Sequence, residues 1–428
     1  MNLSAFRVLG ASGGARSAVG LARPPVSRTA ENAVPDPLRL LVVGGEDHAL
    51  RIPFLERLAR HGVAVEAAGT GDPAPFAAAG IPYHAYRLDR FVSPVEDVYS
   101  YRSLADMLRR RLPDIVQTFD TKPAILAPFA TRATGVGRVV RTVNGLGWIY
   151  SSSSPTARAL RPAFESLHRI TEPMTARTVF QNRSDLEFFE AREIIRKGSG
   201  QLVPGSGVDI ARFDHADVSS SAQDLRRSLG LEAAEVVITV SRLSRVKGIA
   251  TLLEAARVVA RRRPAARFVL VGPRESEGRQ AIPQGLLDAS SDIVLPLGSR
   301  ADIPELLAMA DVFAFPTELR EGVPRVLLEA ALARLPIVTT AMPGCVDVVR
   351  HGVTGLLCAP GDPEALADTI VTALEHRDTS AEMAGHCRAL VEREYSLDVT
   401  VARYLRIYRE LARTRCSGAM RGAGEAAA

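Results

Sequence analysis

Apolar residues fall into short, continuous runs separated by stretches of helical periodicity, and this alternation persists from about residue 38 to 411. Runs of aliphatic and β-branched residues without polar alternation mark strands buried on both faces. Helical patterns between them predict parallel sheets covered on both sides. In the first half the predicted strands are Leu38–Val43, Val63–Ala67, Ile115–Thr118, Val139–Val143 and Val179–Phe180. A helix is predicted at Pro53–Arg60, opened by a proline in its first turn and closed by Gly62. The pattern restarts after Val203-Pro204-Gly205-Ser206-Gly207, a turn-rich hinge, with strands at Val236–Ser241, Phe268–Val271, Ile293–Leu297, Val312–Phe315, Ile337–Thr340 and Leu356–Leu357. Leu397–Leu411 carries Val401, Tyr404, Leu405, Tyr408 and Leu411 on one helical face, which predicts a packing helix bridging back to the first unit. The fold class is therefore α/β: two tandem doubly wound, Rossmann-like units facing a cleft lined by the carboxyl ends of their strands.

The predicted division is a disordered extension at 1–37, a first unit at 38–203, a second at 204–393, a returning helix at 394–414 and a loose tail at 415–428. At 428 residues the chain is too long for one ordinary core, and 46% hydrophobic with 24% charged residues is a globular balance. No apolar stretch approaches the roughly 18 residues that span a bilayer, and the first residues lack a secretory apolar core. Cys345, Cys358, Cys387 and Cys416 form no Cys-x-x-Cys pair, which suits a reducing, cytoplasmic setting. The net charge of +5 is almost all arginine spread along the chain, so it does not predict a nucleic-acid partner. Arg109, Arg110 and Arg111, and the group Arg158, Arg161 and Arg169, are local exceptions that suit peripheral contact with an anionic membrane.

Candidate chemistry concentrates in the second half. Glu321-Gly322-Val323-Pro324-Arg325-Val326-Leu327-Leu328-Glu329 follows a predicted strand, and Pro324 opens a helix. A strand-to-helix turn with free amides and a positive dipole end suits a diphosphate and its sugar. Glu329, in the second helical turn, can accept from vicinal hydroxyls. Ser241-Arg242-Leu243-Ser244-Arg245-Val246-Lys247-Gly248 follows another strand, and two cations there can neutralise a departing diphosphate. Lys247 is one of only three lysines, with Lys122 and Lys197, so arginine-rich composition does not account for it. Gly272, Gly298-Ser299-Arg300 and Pro343-Gly344-Cys345 are further turns on the same sheet edge.

Arg242 and Lys247, the Glu321 to Glu329 spacing and HGVTGLLCAPGDPEALA (351–367) together resemble the retaining glycosyltransferases of family 4, which have the GT-B fold; the resemblance runs from about 38 to 411. DTKPAILAPFATRATGVGRVVRTVNGLGWIYSS (120–152) and VFQNRSD (179–185) resemble the subgroup that assembles surface polysaccharides on a polyprenyl diphosphate carrier. The resemblance implies that Arg242 and Lys247 hold the diphosphate of a nucleotide-sugar donor, that Glu321 with Gly322 and Val323 meets the sugar, and that Glu329 meets the ribose. It places the Gly298–Arg300 turn against the base, typically uracil. It also places Gly272, and the main-chain amides of Gly344 and Cys345, at the donor. Lys122, Asn144 and Trp148 fall on the acceptor side. Many relatives carry histidine where this chain has Asp120 and Asn144, so the polar group beneath the donor sugar is Asp120, Asn144 or neither. His48, in the altered glycine-rich loop Gly44-Gly45-Glu46-Asp47-His48, is either an aid to the acceptor or incidental.

The absence of Asp-x-Asp predicts no catalytic metal and no cofactor beyond the nucleotide-sugar co-substrate. Retention without an obvious nucleophile predicts a front-face displacement in which the leaving phosphate oxygen takes the acceptor proton. The expected activity is transfer of a hexose-type sugar, from UDP, to a glycan or a lipid-linked acceptor. Three rivals differ in class. A nicotinamide oxidoreductase is suggested by Gly44-Gly45 with Glu66 about twenty residues on, but the loop lacks the third glycine. A sugar-nucleotide epimerase or a phosphorylase keeps the architecture, although a pyridoxal lysine has few candidates here. A non-catalytic scaffold is motivated by Asp120 and Asn144 and opposed by intact Arg242, Lys247, Glu321 and Glu329.

Overall fold

The computed structural model describes residues 37–89, 93–152, 154–214 and 217–425. The expected N-terminal extension lies almost wholly outside them. The first sheet contains β1 (Arg39–Val43), β2 (Ala64–Gly69), β3 (Tyr83–Ala85), β4 (Ile115–Thr118), β5 (Arg138–Val143), β6 (Thr175–Phe180) and β7 (Gly200–Leu202), ordered β3-β2-β1-β4-β5-β6-β7. The second contains β8 (Glu235–Val240), β9 (Ala266–Val271), β10 (Val294–Gly298), β11 (Val312–Phe315), β12 (Ile337–Thr340) and β13 (Leu356–Cys358), ordered β10-β9-β8-β11-β12-β13. Every pairing is parallel. These are the GT-B architecture's two doubly wound sheets. Strand order reverses between β1 and β4, and again between β8 and β11, and ligands of such sheets bind beyond the carboxyl ends at those reversals.

All eleven predicted strands form, with boundaries moved by a residue or two, except that β6 starts four residues before Val179. The two strands not predicted, β3 and β7, are three-residue edge strands, too short to show a period. Buried clusters cover both faces of each sheet. Val236, Ile238, Phe313 and Leu327 lie on one side of the second sheet, and Val237, Leu253, Phe268 and Ile370 on the other. Cys345, Cys358 and Cys387 are buried free thiols. Among the described residues no helix is long and apolar enough to cross a membrane.

The last helix, Leu397–Glu425, extends beyond the expected end at Leu411 and into the segment expected as a loose tail. Its Leu397, Val401, Tyr404, Leu405, Tyr408 and Leu411 join Leu40, Val42, Phe54 and Val140 in the core of the first sheet. Each such side chain contributes roughly 1.5–3 kcal/mol by burial. Two central strands present polar groups to this helix and the helix answers them: Tyr408 donates to Gln117 Oε1 at 2.9 Å, and the Tyr404 hydroxyl meets Thr142 Oγ1 at 2.8 Å.

Candidate active site

Where β8 and β11 end, their loops are pinned together. The Glu318 amide donates to the Val246 carbonyl at 3.0 Å. Gly248 has φ 70°, and a Cβ there would lie 1.9 Å from the Pro316 carbonyl oxygen, so only glycine fits. This close approach delivers Lys247, 7% exposed, to Glu321: Nζ donates to Oε2 at 2.7 Å and sits 5.4 Å from the centre of the Phe315 ring. Thr317 Oγ1 donates to the other carboxylate oxygen at 3.1 Å. Sequence reasoning singled out Lys247 and Glu321 in separate motifs and missed Thr317.

Arg242 lies on the same loop but faces a different carboxylate. Its Nη1 is 3.0 Å from Glu277 Oε1, whose side chain is 6% exposed. Glu277 belongs to an excursion stitched to the arginine's own loop, with Leu243 N donating to Pro273 O at 2.8 Å and Ile282 N to Leu243 O at 3.0 Å. Glu329 likewise carries a cation, Arg325 Nε, at 3.0 Å, and Arg325 Nη1 donates to Leu50 O at 3.1 Å. Each charged residue of the expected donor rim therefore has a counter-charge in this state. The cations of this rim are paired with carboxylates, not bare.

The main-chain amides of Gly344 and Cys345, expected at the donor, have partners within the chain in this state. Gly344 N donates to Asp347 Oδ2 at 3.2 Å and Cys345 N to Met342 O at 3.0 Å, because a one-turn helix, Cys345–Val348, closes its own start. Burial pushes the Cys345 thiol up to about 12. Gly322 N also has a partner, the Asn144 carbonyl, at 2.8 Å, and Val323 is buried in the core. Gly272 N donates to Gly298 O at 2.8 Å, which joins two of the expected donor turns, while Arg300 is held by Asp302 at 2.5 Å on the surface.

On the first unit, Asp120 immediately precedes the helix Thr121–Thr134, without a side-chain capping bond, at φ 70° and ψ 158°, a conformation that costs a non-glycine residue about 1–3 kcal/mol. Gly45 N donates to its Oδ2 at 2.9 Å and Asn144 Nδ2 to its Oδ1 at 3.2 Å. Arg51 Nη2 lies 4.0 Å from the same carboxylate, above the Phe119 ring. Asp120, Asn144, Arg51, Phe119, Gln181 and Arg325 share a cavity of about 250 Å³. Asn144 Oδ1 is buried in the structure without a partner. Strain and an unanswered acceptor thus coincide in this corner.

Other expected residues fall elsewhere. Lys122 pairs with Asp97 at 2.6 Å, and Trp148 is exposed on the short helix Gly147–Ser151. His48 is buried and stacked on Phe76 at 5.4 Å. Burial, helped by the Arg51 charge, lowers its pKa to about 4, so the ring is a neutral core group and not a loop residue facing an acceptor. Glu66, which with Gly44-Gly45 suggested a nicotinamide oxidoreductase, is paired with His84 at 2.6 Å. Of the second basic group, Arg169 is paired with Glu165 at 3.1 Å and Arg161 Nε donates to Ile149 O at 2.9 Å.

The two units meet along Arg320-Glu321-Gly322. Gly147 N donates to Arg320 O at 2.9 Å, Arg320 N to Ser151 Oγ at 2.6 Å, and Asn182 Nδ2 to Glu321 O at 3.0 Å. Arg320 Nε reaches Asp185 Oδ1 at 2.9 Å. A Cβ on Gly145 would fall 2.5 Å from the Glu321 carbonyl carbon, so the backbones are in direct contact. Sequence reasoning missed this seam, although the strings at 120–152 and 179–185 hold its first-unit residues.

Paired parallel sheets with a charged rim at the β8/β11 reversal, facing a strained polar corner across a seam, define a glycosyltransferase of the GT-B class. Residues 53–192 match the family model for a glycosyl transferase 4-like domain, and residues 234–376 match that for glycosyl transferases group 1. The GDP-mannose-dependent alpha-(1-6)-phosphatidylinositol monomannoside mannosyltransferase of Mycobacterium tuberculosis is 30% identical over 292 residues, covering 65% of this chain and 71% of that one. The N,N'-diacetylbacillosaminyl-diphospho-undecaprenol alpha-1,3-N-acetylgalactosaminyltransferase of Campylobacter jejuni is 25% identical over 331 residues, 77% of this chain and 86% of its own. Among solved structures, Anabaena HepE in complex with UDP and glucose superposes with a TM-score of 0.71 at 20% identity, over 86% of this chain and 99% of that one. The chain belongs to the group 1, family 4-like glycosyltransferases.

Proposed function

We propose that this glycosyltransferase moves a hexose-type sugar from UDP to a polyprenyl-diphosphate-linked or glycan acceptor, with retention of configuration, at the inner face of the plasma membrane in surface polysaccharide synthesis. The observation that carries the donor side is the Lys247–Glu321 pair at 2.7 Å, set at the reversal point of the second sheet beside Arg242. Arg242 and Lys247 take the diphosphate charge without a metal, Glu321 accepts from sugar hydroxyls, and Glu329 accepts from the ribose. The Gly298–Arg300 turn faces the base. Asp120 and Asn144 supply the polar floor beneath the sugar, where the Asn144 Oδ1 acceptor is unanswered. The acceptor oxygen attacks from the face the diphosphate leaves, and its proton passes to the departing phosphate oxygen. Positioning and charge stabilisation then supply the rate.

The C. jejuni relative's name specifies a diphospho-undecaprenol acceptor and the M. tuberculosis relative's a phosphatidylinositol mannoside, which supports a lipid-linked acceptor. UDP rests on the HepE complex and competes with the GDP-mannose of the mycobacterial relative. Thermal shift with a panel of UDP- and GDP-sugars tests the donor, because a ligand at a hundred times its Kd stabilises the fold by about 2.7 kcal/mol. Transfer to undecaprenyl-diphosphate sugars, with the anomer of the product read by NMR, tests the acceptor and retention. No stabilisation by any sugar nucleotide would remove the reading, and conversion of a sugar nucleotide without acceptor would replace it with epimerisation.

A further inference from the structure

Glu321 is held from two sides. Its carboxylate belongs to the second unit, with Lys247 and Thr317, while its carbonyl accepts from Asn182 of the first. Asn182 Nδ2 also donates to Asp185 Oδ2 at 2.8 Å, and Asn182 Oδ1 accepts from the Asp185 amide at 2.7 Å. Asp185 is fully buried, and its other oxygen, Oδ1, takes Arg320 Nε at 2.9 Å. Arg320 Nη2 adds a bond to Ser184 O at 3.3 Å, and the guanidinium lies 5.1 Å from the Phe188 ring centre. A buried carboxylate without its cation is costly, so Asp185 is satisfied only while Arg320 reaches it across the seam. The two residues adjoining Glu321 in the chain are thus locked to the first unit, one by this ion pair and the other by the bond from Gly322 N to Asn144 O at 2.8 Å.

We infer that Asp185, Asn182 and Arg320 form an interdomain clasp that positions Glu321, so that the grip on the donor sugar is set only when the two units are closed on each other. This rests on the reading of Glu321 as a donor-sugar residue. None of the three touches the reacting atoms in this account; they act through the backbone of Glu321. Arg242 and Lys247 sit on the second unit alone, so nucleotide binding and sugar positioning are separable.

The test measures UDP dissociation constant, donor KM, kcat and melting temperature for Arg320→Ala, Arg320→Lys, Asp185→Asn and the double variant Asp185→Asn/Arg320→Ala. Misplacement of a sugar contact by about 1 Å lowers kcat about a hundredfold, while UDP affinity stays within about threefold of wild type. The double variant is no slower than Arg320→Ala, because both changes break one device. Arg320→Lys keeps the charge opposite Asp185 but loses the second bond and the place over Phe188, so it recovers only about a tenth of the lost rate, a partial rescue that a general packing defect would not allow. Should Arg320→Ala fail to fold, Arg320→Lys and Asp185→Asn carry the same comparison. Unchanged kcat, additive losses, or UDP affinity falling in step with kcat would overturn the clasp. Wild-type protein that binds no sugar nucleotide would overturn the functional reading instead, so the two failures are distinguishable.

Discussion

Replacing Lys247 with methionine keeps the length of the side chain and removes only its charge and donors. The ammonium lies 2.7 Å from Glu321 and 5.4 Å from the centre of the Phe315 ring, in a loop end with little water access. Two unit charges about 4 Å apart interact by roughly 4 kcal/mol at the effective dielectric of such a site, before desolvation is set against it. Breaking a fully buried pair costs about 3–5 kcal/mol, but Glu321 keeps the Thr317 hydroxyl and some water, so the folding loss is about 2 kcal/mol. For a domain of this size that is a fall of about 4–8 °C in melting temperature. The catalytic loss is larger: a donor aimed at charge developing on the leaving group is worth about 2.7–4 kcal/mol, or a factor of about 10² to 10³ in rate. The assay couples UDP release to a spectrophotometric readout across a range of donor concentrations, with UDP affinity from calorimetry and melting temperature measured alongside. A variant whose kcat/KM stays within about threefold of wild type, with unchanged UDP affinity, would refute the assignment of Lys247 to the diphosphate.

Three further outcomes follow from particular contacts. Glu277→Gln keeps an acceptor for Arg242 but removes a negative charge close to where the diphosphate binds, so UDP should bind about tenfold tighter by calorimetry; weaker binding would mean that Glu277 holds Arg242 in place and does not compete. His48 keeps a pKa of about 4 in the folded protein against 6.5 when unfolded. Between those values the unfolded chain binds a proton that the native one refuses, so stability falls as pH falls. The contribution is about 2 kcal/mol between about pH 7.5 and 5, and His48→Phe should remove that share of the slope in urea titrations, whereas identical slopes would contradict it. Tyr408→Phe strands the buried Gln117 Oε1 and should cost about 1–3 kcal/mol in the same titrations, an expectation that unchanged stability would defeat.

The strands were legible because the sheets are buried on both faces, so Val312 to Phe315 appears as an unbroken apolar run and Val236 to Val240 as one interrupted only by the β-branched Thr239. Tyr83–Ala85 and Gly200–Leu202 were not, since an edge strand of three residues carries no period. In the site, Lys247 stood out against a chain nearly free of lysine, and Glu321 and Glu329 by their spacing. Arg325, four residues before Glu329 on one helix, is a partner that local spacing offers, whereas Glu277, the partner of Arg242, was invisible because it is brought there by how a loop folds back. The same holds more strongly for Arg320 and Asp185, which are 135 residues apart in sequence. At Gly344 and Cys345 nothing in the string announces that Asp347 and Met342 accept from their amides. Of the two readings of His48, the incidental one fits its place, since the short helical turn at Glu46–Arg51 carries it inward onto Phe76.

The returning helix has a consequence for how the protein is made. Tyr404 and Tyr408 fill the core beneath Val42 and Val140, yet they are synthesised more than 200 residues after the last strand of that sheet. At ribosomal speeds of about 5–20 residues per second, the first unit waits roughly 10–40 s with an apolar seam and two buried polar acceptors open to water. The newborn first half is therefore a client for chaperones until the C-terminal segment arrives. A chain cut at residue 393 should be recovered as aggregate even though every strand of both sheets is present.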